Sequence, residues 1–370
     1  MTAPELDPAA IEAALIPYVA PALSHGGVVL AVSGGPDSTA LMRAASRAGP
    51  TVPLHVVTVD HRLRTASVTE AGTVAAMARH LGLRHDILPW TGAKPANGLQ
   101  AAARAVRYAL LGRYAEDVGA QWVLTGHTRD DQAETVLMRL LAGSGPAGLA
   151  GMRTERALVG GVRLGRPFLG LPKAGLVAYC AAQGLVPIQD PTNLSPRFAR
   201  ARLRRLLPDL AEEGLTDARL CRLAARCARD DDALGQAAAA AYAAARRAAD
   251  DPILIRLDGP TLAAVPDAIL IRVVARALGE AACPGAAAPR LEKIEALVLT
   301  ALRPALDTRT PLRRTLGGCL VSLTRGRGLT LAPAPARTGR APRGDGLAAG
   351  ARDLLGKGDG AAYIGPECPD

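Results

Sequence analysis

Ser33-Gly34-Gly35-Pro36-Asp37-Ser38 carries the densest chemistry in the sequence. It follows an apolar, β-branched run, Val28–Val32, and precedes Thr39-Ala40-Leu41-Met42, which reads as the start of a helix. A strand, a glycine turn and a helix N-terminus gather unpaired backbone N–H groups at the positive end of a helix dipole. Gly34 and Gly35 lack a Cβ, so the backbone can take positive φ and approach an anion closely. Ser33 and Ser38 add hydroxyl donors, and phosphate is the ligand that fits. No lysine stands between Met1 and Lys94, so this is not a G-x-x-x-x-G-K-[ST] loop, whose lysine reaches the β- and γ-phosphates. Asp37 occupies the place of that cation. A carboxylate beside a polyphosphate implies Mg²⁺ between them, because magnesium prefers carboxylate and phosphate oxygens. The bland alternative is a βα turn with a capping Asp or Ser.

The spacing S-G-G-x-D-S resembles the pyrophosphate-binding loop of the N-type ATP pyrophosphatases. Those enzymes cleave ATP between the α- and β-phosphates, adenylating a substrate and releasing pyrophosphate. Four further clusters extend the pattern. Val59-Asp60-His61-Arg62-Leu63-Arg64 offers a carboxylate for a ribose or a metal, or else a solvated turn. Arg104, Arg107 and Tyr108 fall at i, i+3 and i+4, on one helix face. Gly126-His127-Thr128-Arg129-Asp130-Asp131 opens a helix whose buried stripe is Ala133, Val136, Leu137, Leu140 and Leu141. Its acids suit the helix dipole, and a metal, a substrate or a proton equally. Asp190-Pro191-Thr192-Asn193 leads into an arginine run, Arg197, Arg200, Arg202, Arg204 and Arg205. That run is an electrostatic footprint for a phosphate backbone, with a solvated charge run as the alternative.

These clusters need elements to hold them together. Strands are expected at Val28–Val32, Leu54–Val59, His85–Leu88 and Trp122–Thr125. Helices are expected near Ser38–Ala48, Val68–Leu81, Leu99–Val118 and Lys173–Gln183. Such alternation predicts an α/β fold, a doubly wound and mainly parallel sheet, with ligands outside the carboxyl ends of the strands. The loops after the first, second and fourth strands should therefore line one rim. The Gly- and Pro-rich stretch Gly143–Gly170 reads as loop outside the sheet. Beyond Pro208 the composition turns to Ala-rich helix, with a hairpin at Leu320–Leu331.

The formal net charge is +10 over 370 residues, and only four of the 44 basic residues are lysine. Arginine suits phosphate forks and base stacking, so a polyanionic partner is expected, nucleic acid first. The cysteines (Cys180, Cys221, Cys227, Cys283, Cys319, Cys368) form no C-x-x-C pair, which argues against zinc and iron–sulfur sites. No apolar run reaches the roughly 18 residues needed to span a bilayer, and no signal pattern opens the chain. A cytoplasmic protein with no membrane partner is expected; the sequence is silent on oligomeric state.

Taken in order, Ser33–Ser38, Val59–Arg64, Ala103–Tyr108, Gly126–Thr135, Gly143–Met152, Arg166–Leu169 and Asp190–Arg204 resemble the tRNA(Ile)-lysidine synthetase family across residues 25–210. The resemblance implies an ATP-dependent ligase that makes a C–N bond and releases AMP and pyrophosphate. ATP adenylates the oxygen on C2 of the wobble cytidine in a CAU-anticodon tRNA(Ile), and the ε-amine of free lysine displaces AMP to give lysidine. It implies ATP contacts from Ser33, Gly34, Gly35, Pro36, Asp37, Ser38, Asp60 and His61, with Mg²⁺ on Asp37 and Asp131. His127, Asp130 and Asp131 would orient ATP, the metal or the incoming lysine, and Arg104 and Arg107 would face the tRNA or the developing phosphate charge. Arg197, Arg200, Arg202, Arg204 and Arg205 would contact the tRNA backbone. The implied organisation is a PP-loop catalytic domain (1–212), a mainly helical tRNA-binding region (213–331) and a weakly ordered tail (332–370). The rivals are a tRNA thiolase, which needs cysteines near the site, a small-molecule amide ligase, and a non-catalytic nucleotide sensor.

Overall fold

The computed structural model describes residues 7–19, 26–63, 66–188, 199–249, 251, 253–282, 288–325 and 328–335. Their contacts divide the chain into two compact units, one ending at Ala228 and the other starting at Arg229. The first begins with two short helices, α1 (Pro8–Ala13) and α2 (Ile16–Val19). Strand and helix then alternate: β1 (Val28–Ala31), α3 (Pro36–Arg47), β2 (Leu54–Asp60), α4 (Ala66–His80), β3 (Arg84–Pro89), α5 (Leu99–Asp117), β4 (Trp122–Thr125) and α6 (Arg129–Leu141). A one-turn helix α7 (Pro146–Leu149), strands β5 (Glu155–Ala157) and β6 (Arg163–Gly165), and helices α8 (Lys173–Ala182) and α9 (Ala199–Glu212) complete it, with the first part of α10 (Asp217–Ala245).

The sheet order is β3-β2-β1-β4-β6-β5, and every pairing is parallel except β5–β6. Consecutive strands leave β1 on both sides, so the β1–β4 boundary is a switch point where a crevice opens above the carboxyl ends. Alternation along β1 decides which helices cover which face. Val28 and Leu30 pack with Leu41, Val74, Leu176 and Tyr179. Val29 and Ala31 pack with Tyr108, Leu111 and Ala115. Both faces are buried, which accounts for the continuous apolar run that made β1 legible.

Three elements correct the loop expected over Gly143–Gly170, the one-turn α7 and two strands. β5 and β6 extend the sheet there, each three residues long and joined across Gly160 and Gly161, both at positive φ. Strands so short show no period-two signal. The described residues between β6 and α8 end the sheet's rim, and Arg166, first after β6, is 1% exposed.

In the second unit α10 continues into β7 (Arg246–Arg247), β8 (Ile255–Asp258), α11 (Gly259–Ala263), α12 (Asp267–Ala281), α13 (Leu291–Leu297), a π-helical stretch (Val298–Leu302), α14 (Arg303–Thr308), β9 (Leu312–Leu316), β10 (Cys319–Leu323) and β11 (Gly328–Pro333). The helices are accompanied by an antiparallel sheet, order β7-β8-β11-β10-β9. Of its pairings only the β10–β11 hairpin is expected from sequence. The inward side chains Ile255, Leu257, Val321, Leu329 and Leu331 meet Leu270, Val273 and Val274 of α12 in one core. No helix of the described residues is long and apolar enough to cross a membrane. Of the tail expected from residue 332, Ala332 and Pro333 belong instead to β11, and the residues beyond 335 lie outside the described residues.

Candidate active site

The loop after β1 is shaped by its glycines and tied by its serines. Gly34 has φ +89°, and a Cβ there would stand 2.4 Å from Ile188 Cδ1 and 3.1 Å from Val74 Cγ2. Its carbonyl accepts from Ile188 N at 2.8 Å and Thr39 Oγ1 at 3.0 Å. Ser38 Oγ donates to Gly35 O at 3.1 Å and accepts from Ser33 N at 3.2 Å, and Ser33 Oγ lies 3.3 Å from it. Gly35 is the N-cap of α3, with no side-chain cap, and Pro36 follows at the first helical position. The first-turn N–H groups of α3 are thus left for an exogenous acceptor.

The loop after β4 is pressed onto this one. A Cβ on Gly126 would sit 2.7 Å from the Asp37 carbonyl oxygen and 3.1 Å from Ser38 N, so only glycine permits the approach. Thr128 then N-caps α6 in a capping box: Asp131 Oδ2 accepts from Thr128 N at 2.8 Å and from its hydroxyl at 2.9 Å. Asp130 Oδ2 accepts from the backbone N of Lys173 at 2.8 Å, and Asp37 Oδ2 accepts from Lys173 Nζ at 2.8 Å. Asp37 Oδ1 is buried with no partner. Burial pushes the Asp37 carboxyl above its ordinary range; Lys173 opposes this, and the charges of Asp131 and Asp130 add to it. An orphaned buried oxygen among repelling carboxylates suits a divalent cation. Among the described residues no group of three or more His, Cys, Asp or Glu side chains forms a complete metal cage. Magnesium takes one or two carboxylates and fills its shell with phosphate and water.

The other side of the rim is basic. Arg104 and Arg107 project from α5, Arg156 from β5 and Arg166 from the end of β6. Arg104 and Arg156 lie 5.2 and 4.9 Å from the Tyr108 ring. Arg166 Nη1 donates to Arg153 O at 2.6 Å while its Nε is buried unpaired. His127 Nδ1 is hydrogen-bonded to Thr125 Oγ1 at 2.8 Å. Burial holds its pKa well below the ordinary value, and Arg166, Arg107, Arg104 and Arg200 push it further down. His127 is therefore neutral near pH 7. Burial pushes the Tyr108 phenol up, but the charges of Arg104, Arg107, Arg166 and Arg156 outweigh it and leave the pKa lowered. Guanidiniums so gathered are costly to bury unless an anion joins them.

Asp60 and His61 stand at the same rim, after β2. Burial raises Asp60, but hydrogen bonds from Arg62 N (2.8 Å) and the Ser67 side chain, with the Arg62 and His61 charges, bring it below its ordinary range. His61 meets Trp90 edge-on at 6.0 Å, and burial, then Arg107, lower its pKa. The arginine helix α9 divides by face. Arg204 makes a bidentate pair with Glu134 at 2.6 and 3.0 Å, and Arg200 Nη2 reaches Thr135 Oγ1 at 3.4 Å. Arg202 and Arg205 are exposed. Arg64, Arg197 and Asp190–Asn193 lie outside the described residues.

Two participants were missed by reading motifs, Lys173 and Arg156, and Arg166, which opens the matching stretch Arg166–Leu169, was assigned no role. Lys173 carries a weak signal, a lone lysine directly after Leu171-Pro172 where a helix starts. Arg156 becomes visible only once β5 is known to join the sheet, and the place of Arg166 at the rim only once β6 does. Cys180, on α8, comes near the loop, its Sγ 3.5 Å from Pro36 O; burial, with the Asp37 charge, pushes its thiol up to about 11. It packs as a protonated side chain, not the reactive thiolate a thiolase would use.

A parallel sheet with an S-G-G-x-D-S loop at its switch point defines a PP-loop protein, and the PP-loop domain family matches residues 10–210. A U34-tRNA thiolase from Methanococcus maripaludis shares this fold, with a TM-score of 0.50 at 15% identity over 59% of this chain and 78% of that one. A tRNA(Ile)-lysidine synthase from Methylobacterium sp. (strain 4-46) is 54% identical over 332 residues, 90% of this chain and 96% of its own. Another from Rhodopseudomonas palustris is 45% identical over 85% of this chain and 92% of its own. The chain belongs to the tRNA(Ile)-lysidine synthase family.

Proposed function

We propose that this enzyme converts the wobble cytidine of a CAU-anticodon tRNA(Ile) to lysidine, using ATP and free lysine. The observation that carries the reading is the division of one rim. Backbone N–H groups and carboxylates lie on the α3–α6–α8 side, and a cluster of guanidiniums on the α5–β6 side. A reaction that joins a triphosphate, a nucleotide of a polyanion and an amino acid needs all three kinds of site.

In the first step the oxygen on C2 of cytidine forms a bond to the α-phosphorus. The bond from that phosphorus to the bridging oxygen breaks, and pyrophosphate leaves with the electron pair. In the second step the lysine nitrogen bonds to C2, the C2–O bond breaks, AMP departs with the pair and the nitrogen gives up a proton. An oxygen on C2 is a poor leaving group until adenylated, so the order follows from the chemistry.

The loop residues Ser33–Ser38 hold the phosphates, and Asp60 and His61 line the nucleotide's side of the rim. Asp37 and Asp131 would hold magnesium, which when bound withdraws charge from phosphate oxygens. Arg104, Arg107 and the buried Arg166 receive the nucleotide phosphate or the charge that develops on it. His127, neutral and fixed by Thr125, orients a reactant without adding charge, and Asp130 and Asp131 face either the metal or the lysine ammonium. On α9 the exposed Arg202 and Arg205 face the tRNA backbone, while Arg200 and Arg204 serve the rim. The test is pyrophosphate release with ATP, lysine and a CAU-anticodon tRNA, each omitted in turn. Release that ignores the tRNA would instead point to a small-molecule ligase.

A further inference from the structure

The PP-loop has no cation of its own, and the basic half of the rim gathers around Tyr108 and His127. One ammonium does reach the loop. Lys173 Nζ stands 2.8 Å from Asp37 Oδ2, and Asp37 is the second residue of α3, in the turn whose N–H groups form the anion site. Lys173 is also the cation that acts most strongly on the Asp37 carboxyl, by hydrogen bond and by charge. Its main chain is pinned. The N–H donates to Asp130 Oδ2, and α8 is packed under the loop through Leu176 and Cys180. The side chain itself is 39% exposed, so a fixed base carries a head that can move.

We propose that Lys173 is the polyphosphate-binding cation of this site, held on Asp37 while the loop is empty and passed to β- and γ-phosphate oxygens when ATP enters. The inference rests on the ATP-dependent reading above and adds a catalytic residue to it. As the α-phosphorus bonds to the substrate oxygen, the electron pair of the breaking bond passes to pyrophosphate, which gains one negative charge. The Lys173 ammonium offsets that charge, and no proton moves. A purely architectural role explains the geometry poorly. An ion pair this exposed contributes about 0–1 kcal/mol, and this one leaves Asp37 Oδ1 buried and unpaired. A staple would satisfy both oxygens.

Calorimetry on the full chain with inorganic pyrophosphate, ATP and AMP tests it. Lys173→Met should weaken pyrophosphate and ATP by about tenfold to a hundredfold, the size of one charge-assisted hydrogen bond. Its affinity for AMP, which lacks the two outer phosphates, should change less than about twofold, and Lys173→Arg should retain most of the binding. Asp37→Asn, measured in chelator, should bind pyrophosphate more tightly than the native chain, because the ammonium is no longer held by a competing carboxylate. This second arm stays decisive if the Met variant folds badly. Equal losses for AMP and pyrophosphate, unchanged pyrophosphate binding in Lys173→Met, or no gain in Asp37→Asn would each overturn the assignment. If the native chain binds neither pyrophosphate nor ATP, the nucleotide-site reading itself fails.

Discussion

Asp131 serves two masters. Its Oδ2 closes the capping box with Thr128, while its charge raises the neighbouring Asp37 carboxyl. The two roles separate by substitution. Asp131→Asn keeps an acceptor for the Thr128 N–H, so the melting temperature should fall little while turnover falls heavily. Thr128→Ala removes the N-cap acceptor for Asp131 N and should cost about 1 kcal/mol of stability. Turnover retained in Asp131→Asn would leave only the cap. His127 gives a pH-dependent counterpart. Its folded pKa lies below the unfolded value of 6.5, so above that pH both states are neutral and stability is unaffected. As pH falls below it, the unfolded chain takes up a proton that the folded chain refuses, and stability declines until the folded pKa is reached. In urea titrations at stepped pH from 7 to 5, His127→Asn should remove up to about 1.4 kcal/mol per pH unit from that slope. An unchanged slope would mean that His127 is protonated alike in both states.

At the scale of elements, α6 holds the site together by packing on one side and charge on the other. Ala133, Val136 and Leu137 meet Leu203 of α9 and Leu220 and Ala224 of α10 in a small apolar cluster. Glu134, 1% exposed, is satisfied only because Arg204 reaches in from α9 with both fork nitrogens. Burial pushes the Glu134 carboxyl up, and the Arg204 hydrogen bond opposes it. Removing the arginine should therefore hurt more than removing both partners. Arg204→Met is expected to cost about 1–3 kcal/mol, the penalty for an acceptor left unpaired, softened because Arg204 itself is partly in water. Arg204→Met combined with Glu134→Leu should recover part of that loss, read as a coupling energy in chemical denaturation. Simple addition of the two single effects would show that the pair does not tie α9 to α6.

For the whole molecule, a net charge of +10 has to be put to use somewhere. Exposed arginines such as Arg202 and Arg205 on α9 are placed in solvent, where a long polyanion can reach them. Replacing both with Gln should lower the log–log salt slope of tRNA binding by roughly 0.7–0.9 per lost phosphate contact. ATP affinity should stay the same. Parallel salt lines for variant and native chain would remove these two residues from the interface.

The local chemistry was legible in the chain itself. A glycine pair after a β-branched run, a cap before an amphipathic stripe, and alternating strand and helix periods are written within windows of about ten residues. They specify the loop, its anion preference, the parallel sheet and the shared rim. Three-residue strands such as β5 and β6 fall below that window, and the sheet of the second unit is split by long helical insertions. What only the tertiary structure decided is which distant side chains meet. Lys173 reaches Asp37 across 136 positions, and Arg204 reaches Glu134 across 70. Arg200 and Arg204 reach onto α6 from a helix whose charge run reads as meeting a phosphate backbone or water throughout. Such meetings depend on strand order and helix docking. A motif records which groups are available, and packing alone settles whether a charge faces water, a carboxylate or a substrate.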